Sequence, residues 1–262
     1  MSSPPSLEAL PEERRRRILD ALKSQGRLVA REVARALGVS EDTVRRDLRD
    51  LAEAGLLQRV HGGALPLVPA APFAQRREEG RGAKSALARA LLPLLRGRRL
   101  VLLDGGSTNL ELARLLPPDL VLTVATNSPA IAAVLADHPS AGLVVIGGRV
   151  DRRLGVALGA EAVEAVSRLA PDLCVLGACG LSAEAGVTAE DAEEAALKRA
   201  MAAAAAEVAC AASSAKLGAV SPYRVCPAAR LSHVAVEADA PEEETAALAA
   251  SGVRLHVAAG GR

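Results

Sequence analysis

The chain has 262 residues, and half of them are hydrophobic, so it is long enough for two domains with substantial cores. It has one Phe, one Tyr and no Trp, which excludes proteins that bind single strands by stacking bases on aromatic side chains. A formal net charge of +1 indicates no polyanionic partner for the chain as a whole. The N-terminal segment lacks the pattern of a signal peptide, and no apolar run reaches the roughly 18 residues of a membrane span, so we expect a soluble, cytoplasmic protein without a membrane partner.

Residues 1–65 predict three short helices followed by a β-hairpin. The helices are expected at 11–26, at 30–37 and after residue 40, and the turn "HGG" joins two short strands. This order is typical of a winged helix-turn-helix, in which the third helix enters the major groove of DNA and the hairpin forms the wing. The segment carries only a small excess of basic residues, so DNA binding would depend on where individual arginines lie.

The sequence "SEDTVRRDL" is the predicted start of the third helix. Ser40 is placed to cap the helix, and Glu41 and Asp42 follow in the first turn, where the helix dipole favours carboxylates. Arg45 and Arg46 are adjacent and therefore point about 100° apart, so we expect one to reach phosphate and the other to lie closer to the base edges. The candidate DNA-binding residues are Ser40, Thr43, Arg45, Arg46, Arg49, Arg59, His61 and Gly62.

Residues 66–79 contain three prolines and little periodicity, which indicates a linker. Over 80–258, seven short apolar runs alternate with helical stretches, a pattern typical of an α/β domain with a largely parallel sheet covered on both faces. The runs are 99–104, 120–126, 142–148, 173–178, 207–212, 233–238 and 253–258.

Three polar loops follow apolar runs at the expected carboxyl edge of the sheet, where such domains bind ligands. The loop "DGGSTN" combines glycines, hydroxyls and a helix start, an arrangement that binds phosphate, although it is also found in ordinary glycine-rich turns. We expect Asp104 to contact a sugar hydroxyl or a backbone amide, because a carboxylate repels phosphate. Two lysines supply further positive charge. The candidate effector-binding residues are Asp104, Gly105, Gly106, Ser107, Thr108, Asn109, Thr126, Asn127, Gly147, Gly148, Lys198 and Lys216.

Four cysteines and four histidines lack the spacings of metal ligands or of a redox pair. The ordinary interpretation is therefore buried free thiols for the cysteines and mostly structural or exposed side chains for the histidines, with no metal site and no cofactor. These residues are Cys174, Cys179, Cys210, Cys226, His61, His138, His233 and His256.

Several of these segments, in this order, resemble the DeoR-type bacterial transcriptional regulators. "ILDALKSQGR", "VSEDTVRRDL" and "GLLQRVHGGA" match the DNA-binding domain, and "DGGSTN", "TNS" and the Ala-Lys-Leu-Gly segment around Lys216 match the effector domain. The resemblance covers about residue 11 to residue 258. It implies a repressor, or less often an activator, of sugar-catabolism genes, with a sensor domain that resembles ribose-phosphate isomerases and binds a phosphorylated sugar or related metabolite.

The resemblance also implies effector-binding and DNA-binding roles for particular residues, although the chain departs from the family pattern at some positions. Ser213 stands where the family usually has Asp, three residues before Lys216, so a carboxylate that would hold sugar hydroxyls is missing. Val150 or Asp151, and Val175, replace aromatic residues, which favours a wider or repacked pocket. The implied effector contacts are Asp104, Gly106, Ser107, Thr108, Thr126, Asn127, Lys198 and Lys216, and the implied DNA contacts are Thr43, Arg45, Arg46 and His61.

We therefore expect a two-domain regulator that binds double-stranded operator DNA as a homodimer or higher homo-oligomer. Effector and operator would prefer different conformations, so each would change the affinity for the other. One alternative is a sugar-phosphate isomerase with an accessory N-terminal domain, which needs a carboxylate base such as Asp104, Glu190, Asp191 or Glu194. A second alternative is an oligomerisation platform with a vestigial pocket.

Overall fold

The computed structural model of the chain describes residues 11–25, 28–60, 62–65 and 71–259. The helices are α1 (Pro11–Gln25), α2 (Ala30–Leu37), α3 (Glu41–Glu53), α4 (Phe73–Arg76), α5 (Arg81–Leu91), α6 (Ser107–Arg114), α7 (Pro129–Leu135), α8 (Ala160–Ser167), α9 (Ala192–Ala204) and α10 (Glu242–Ala250). The first strands are β1 (Leu28–Val29), β2 (Gln58–Val60), β3 (Gly63–Leu65), β4 (Leu100–Leu103), β5 (Thr123–Thr126), β6 (Gly142–Val145), β7 (Arg149–Asp151) and β8 (Val156–Leu158). The remaining strands are β9 (Leu173–Leu176), β10 (Gly180–Ser182), β11 (Gly186–Ala189), β12 (Glu207–Ala212), β13 (Tyr223–Cys226), β14 (His233–Val236) and β15 (Arg254–Val257).

The N-terminal domain is a winged helix-turn-helix, as predicted. Gly38 ends α2 with a φ of +66°, and Ser40 Oγ accepts a hydrogen bond from Thr43 N at 3.1 Å at the start of α3. Strands β2 and β3 form the predicted hairpin, and β1, which was not predicted, adds a third antiparallel strand. The buried carboxylate of Asp47 on α3 accepts hydrogen bonds from Arg14 and Arg15 of α1. These two arginines therefore hold the helices together.

The C-terminal domain is built on one seven-stranded parallel sheet, with the order β15-β14-β12-β9-β4-β5-β6. Each of the seven predicted apolar runs contributes one strand, so the predicted α/β architecture is confirmed. Two hydrophobic clusters, one on each face of the sheet, contain most of its buried side chains. Central strands such as β9 are buried on both faces, which explains their unbroken apolar sequence.

Two smaller antiparallel sheets, β10-β11-β13 and β7-β8, lie beside the main sheet and were not predicted. Strands β10 and β11 are only three and four residues long and fully buried. They therefore lack the alternation of polar and apolar residues that marks a half-buried strand. Strand β11 leads directly into α9, which carries one of the predicted effector residues, Lys198.

Part of the predicted linker, 66–79, packs on the C-terminal domain. Residues 66–70 lie outside the described residues. Phe73 in α4 is buried in one of the two sheet clusters, and its backbone N donates to Arg153 O at 2.7 Å. Gly155 lies so close to this ring that a Cβ would come within 2.5 Å of it. A single aromatic residue in a proline-rich segment has no periodicity, so sequence patterning did not reveal this contact.

The four cysteines are free thiols; Cys174, Cys210 and Cys226 are buried, as predicted, whereas Cys179 is partly exposed. Burial raises the pKa of Cys210 to about 12 and the pKa of Cys226 to about 11, so both remain neutral at physiological pH. Within the described part of the chain, the helices are too short or too polar to cross a bilayer.

Candidate effector pocket and DNA-binding surface

A cleft opens at the carboxyl ends of β4 and β9, where the order of the strands reverses along the sheet. Such a switch point is the usual ligand site of open α/β sheets. The cleft is narrow and partly open to solvent. Its walls are residues 105–109, residues 176–179, Arg76, the inner face of α9 and Lys216.

Asp104 and Lys198 form a buried ion pair at the base of the cleft. Lys198 Nζ donates to Asp104 Oδ2 and, at 2.7 Å, to Gly177 O, while the same carboxylate oxygen accepts from Gly177 N at 2.8 Å. Burial alone would lower the pKa of Lys198, but Asp104 and Glu194 outweigh it and hold this pKa above its ordinary value. Asp104 contacts a backbone amide, as expected, and it also neutralises the lysine. Lys198 is therefore no free cation for a phosphate.

Glu194 lies one turn before Lys198 on α9, and only one of its two carboxylate oxygens has a partner among the described residues. Its Oε1 lies 3.3 Å from Lys198 Nζ. Its Oε2 is buried and has no hydrogen-bond partner among the described residues. A buried carboxylate oxygen without a donor is costly, so a ligand hydroxyl that donates to it would be stabilised. Sequence analysis named Glu194 only as a candidate base of the isomerase alternative.

The first turn of α6 forms one wall of the cleft. Its N-cap residue, Gly106, has a φ of +143°, a conformation that side-chain-bearing residues rarely adopt, and no side chain caps the helix. The uncapped amides of this turn and the helix dipole favour an anion. Asn109 has a structural role here, because its Nδ2 donates to Asp104 O and Val175 O, both at 2.9 Å. Ser107 and Thr108 remain beside the cleft.

Lys216 and Arg76 supply the uncompensated positive charge of the cleft. Lys216 Nζ donates to Ala178 O at 2.7 Å, and neither residue has a carboxylate partner in the described ranges. Burial, reinforced by the charges of Arg76 and Lys198, lowers the pKa of Lys216. Arg76 Nε is itself buried without a hydrogen-bond partner in the part of the chain that is described. The positions of these two side chains favour an anion, and Arg76 was not foreseen because it lay in the predicted linker.

The remaining predicted effector residues lie behind the cleft rather than in its walls. Asn127 Oδ1 accepts from Gly105 N at 3.0 Å, so it fixes the glycine loop from below. Thr126 Oγ1 accepts from Ser128 N at 3.1 Å and stabilises the turn after β5. Gly147 and Gly148 do not line the cleft, and a Cβ at Gly148 would lie 2.6 Å from Leu158 O. These four residues shape the site without facing its interior.

The surface of α3 and the hairpin carry the candidate DNA contacts. Arg45 pairs with Glu41 of its own helix at 3.0 Å. Arg46 is exposed and makes no ion pair or hydrogen bond with the described residues. Thr43 Oγ1 lies 2.8 Å from Ser40 Oγ, so these two hydroxyls share one hydrogen bond at the start of the helix. His61 lies outside the described residues, whereas Gly62 takes the turn of the hairpin with a φ of +72°.

Arg49 and Arg59 face the C-terminal domain. Arg49 Nε lies 3.5 Å from Glu184 Oε1, and Arg59 Nη1 lies 3.4 Å from Glu184 Oε2. A backbone hydrogen bond also joins the domains, from Val220 N to Arg59 O at 3.2 Å. The N-terminal and C-terminal domains are therefore in direct contact.

Comparison with known families and proteins gives consistent results. Residues 14–67 match the profile of the DeoR-like helix-turn-helix domain, and residues 80–238 match that of the DeoR C terminal sensor domain. The chain is 35% identical over 213 residues to the HTH-type transcriptional regulator GlpR of Haloferax volcanii, covering 80% of this chain and 83% of that protein. It is 32% identical over 216 residues to the HTH-type transcriptional repressor GlcR of Bacillus subtilis, covering 81% and 83%. It is 28% identical over 191 residues to the glycerol-3-phosphate regulon repressor of Escherichia coli, covering 72% and 76%.

A solved structure of ribose 5-phosphate isomerase A from Methanocaldococcus jannaschii superposes with a TM-score of 0.38 and 14% identity, over 51% of this chain and 53% of that one. A superposition of this extent transfers neither fold nor activity. The two family profiles, which together span both domains, agree with the observed winged helix and parallel sheet. The chain therefore belongs to the DeoR family of transcriptional regulators, with a DNA-binding domain followed by a sensor domain.

Proposed function

We propose that this protein represses sugar-metabolism genes and that a phosphorylated sugar or related polyol, bound in the cleft, controls its binding to operator DNA. The observation that carries the effector assignment is the pair Lys216 and Arg76, which lack carboxylate partners among the described residues and lie with the uncapped start of α6 around one cleft. Charge-assisted hydrogen bonds from such groups are the strong ones, and phosphate accepts several. The cleft is thus complementary to a phosphate group.

The relatives support the repressor assignment and the class of ligand. One is named as a repressor of the glycerol-3-phosphate regulon and another as a transcriptional repressor. The buried Glu194 Oε2 adds an acceptor for a hydroxyl at the other side of the cleft. Because Ser213 supplies no carboxylate, Glu194 takes over the binding of ligand hydroxyls in this proposal.

The protein is proposed to act in the cytoplasm, where its DNA target lies, and as a homodimer at least. One winged helix presents a single short recognition helix, and two-fold symmetric operators double its contacts.

The isomerase alternative finds little support in the cleft. Asp104 is committed to Lys198, and Asp191 Oδ1 caps α9 by accepting from Glu194 N at 3.0 Å. Glu190 does not line the cleft, so Glu194 is the one carboxylate among the described residues that line it.

Gly106→Val is expected to weaken binding of a phosphosugar at least tenfold while leaving DNA binding intact. A valine at a φ of +143° costs about 1–3 kcal/mol of local strain and places methyl groups where the phosphate would approach. Titration calorimetry with glycerol-3-phosphate and a panel of hexose and pentose phosphates measures the loss. Turnover of a panel member by the wild type would instead support the isomerase.

The matched control for this variant is Gly159→Val. Gly159 is also an uncapped N-cap residue with a positive φ of +105° and open space at Cβ, but it lies before α8, away from the cleft. Both variants should therefore lose similar thermal stability. Undiminished phosphosugar binding by Gly106→Val, or an equal loss in both variants, would remove the loop from the site.

Glu194→Gln is expected to separate binding of the sugar from binding of the phosphate. Loss of a charged acceptor for a buried hydroxyl costs about 1.5–3 kcal/mol, so phosphosugar affinity should fall by about tenfold or more. Affinity for inorganic phosphate should stay equal or increase, because a negative charge has left the cleft. Glu193→Gln is the control, since the neighbouring Glu193 is exposed and pairs with Arg149 at 2.7 Å. Equal effects of Glu194→Gln on both ligands would contradict the hydroxyl-binding role.

A further inference from the structure

Two arginines of the candidate DNA-binding surface are held by one carboxylate of the sensor domain. Glu184 lies in the turn between β10 and β11, and its two oxygens lie 3.5 Å from Arg49 Nε and 3.4 Å from Arg59 Nη1. Arg49 belongs to the recognition helix and Arg59 to the hairpin, so the carboxylate bridges both DNA-binding elements. Ser182 Oγ accepts from Ala185 N at 3.0 Å and fixes the turn that presents Glu184.

The sensor domain faces this surface with further acidic residues. A second cleft between the domains is lined by Arg45 of the recognition helix and by Glu243 and Glu244. Both glutamates belong to the first turn of α10. Carboxylates of the sensor domain thus face arginines that are candidate DNA contacts.

The contact is connected to the effector cleft by short stretches of chain. Val220, which donates to Arg59 O, lies four residues after Lys216, and Gly218 N between them donates to Leu181 O at 2.8 Å. Leu181 is in β10, the strand that leads to Glu184. Both segments that touch the DNA-binding domain are therefore linked to Lys216, one by four residues of chain and the other by a backbone hydrogen bond.

We propose that Glu184 makes an autoinhibitory contact, in which the sensor domain occupies Arg49 and Arg59 and keeps them from the DNA backbone. The inference rests on the proposed function insofar as this face binds DNA. A carboxylate and a DNA phosphate compete for the same guanidinium groups, so the conformation described here is the released form. Binding of DNA requires that the β10–β11 turn, which carries Glu184, move away from Arg49 and Arg59. Occupancy of the effector cleft changes the free energy of this movement.

The test compares the full-length wild type with Glu184→Gln for binding to a fluorescent 30-base-pair duplex of random sequence, by anisotropy at low and high salt. Glu184→Gln keeps the size of the side chain and removes its charge. Each exposed ion pair is weak, so we expect the variant to bind about threefold to tenfold more tightly at low salt. The difference should shrink as salt rises, because added ions screen exposed pairs.

Glu164→Gln is the matched control, because Glu164 is equally exposed and forms an ion pair with Arg168 on α8, away from the DNA-binding domain. It changes the net charge by the same amount. Equal affinities of Glu184→Gln and Glu164→Gln, with a wild type that binds the duplex, would overturn the autoinhibitory contact alone. Failure of both the wild type and Glu184→Gln to bind would overturn the DNA-binding function as well. Tighter binding that persists when Arg49 and Arg59 are both replaced by Gln would also contradict the proposal, since Glu184 would then act elsewhere.

Discussion

Lys216→Met is expected to abolish binding of both phosphosugar and inorganic phosphate, with affinities falling about a hundredfold. In the proposed complex the ammonium makes a charge-assisted contact to the phosphate, and its loss would leave the anion with one cation fewer in a partly desolvated cleft. A change of about 3 kcal/mol in binding free energy corresponds to this factor. Titration calorimetry with each ligand measures it directly. Undiminished binding of inorganic phosphate would move the phosphate site away from Lys216.

The stability of this variant provides an independent check. Burial lowers the pKa of Lys216, so the folded protein binds this proton less tightly than the unfolded chain does. The charge therefore opposes folding at neutral pH, and this cost disappears as the pH rises through the folded pKa towards the unfolded value of 10.5. Without ligand, Lys216→Met should unfold at the same or a higher temperature than the wild type at pH 7. Phosphate should stabilise the wild type and leave the variant unchanged, which calorimetric scans would reveal.

Arg46→Ala is expected to weaken specific DNA binding more than Arg45→Ala does. Arg46 is exposed on the recognition helix and has no ion-pair partner in the described ranges, whereas Arg45 pairs with Glu41 and lines a cleft against the sensor domain. A side chain that reads a base edge contributes about 1–3 kcal/mol per site. The loss should therefore be about tenfold to a hundredfold for each protomer on DNA. Anisotropy with a duplex enriched from a random library by the wild-type protein measures this loss.

A scrambled duplex distinguishes base contacts from phosphate contacts. Arg46→Ala should change affinity for the enriched duplex only, whereas loss of a phosphate contact weakens all sequences and reduces the salt dependence by about one unit. Arg168→Ala is the control, because Arg168 directly follows α8 in the sensor domain and pairs with Glu164. If neither Arg45→Ala nor Arg46→Ala altered binding of the enriched duplex, α3 would not be the recognition helix.

The contact between the domains affects how replacements of Arg49 and Arg59 are interpreted. In the proposed autoinhibited form, replacing Arg49 or Arg59 removes a contact to Glu184 as well as a candidate contact to DNA. The two losses offset each other in the measured affinity. Arg46 has no such partner in the described residues, so its replacement reports on DNA more directly. The positions of the arginines in the sequence alone do not reveal which of them also contact the sensor domain.

Local patterns in the sequence were sufficient for the secondary structure that defines the family. The cap at Ser40 and the left-handed turn at Gly38 depend on residues within four positions of each other, so their geometry follows from short-range hydrogen bonds and backbone conformation. The seven strands of the main sheet were recognisable because a strand buried on both faces needs an unbroken apolar run. Strands β10 and β11 were missed because their sequences, GLS and GVTA, contain Gly, Ser and Thr and form no unbroken apolar run.

What the sequence by itself determined is the order of a winged helix and a parallel α/β domain, together with a glycine-rich loop at the edge of the sheet. Only the tertiary structure decided which lysines of the cleft have a carboxylate partner among the described residues. Lys198 and Lys216 are equivalent as letters, yet Asp104, 94 residues away, neutralises the first, and no described carboxylate pairs with the second. Glu184 and Arg59 meet across 125 residues. The balance of charges in a cleft depends on which side chains, distant in sequence, the fold brings within a few ångströms of each other. Local sequence patterns do not determine those distances.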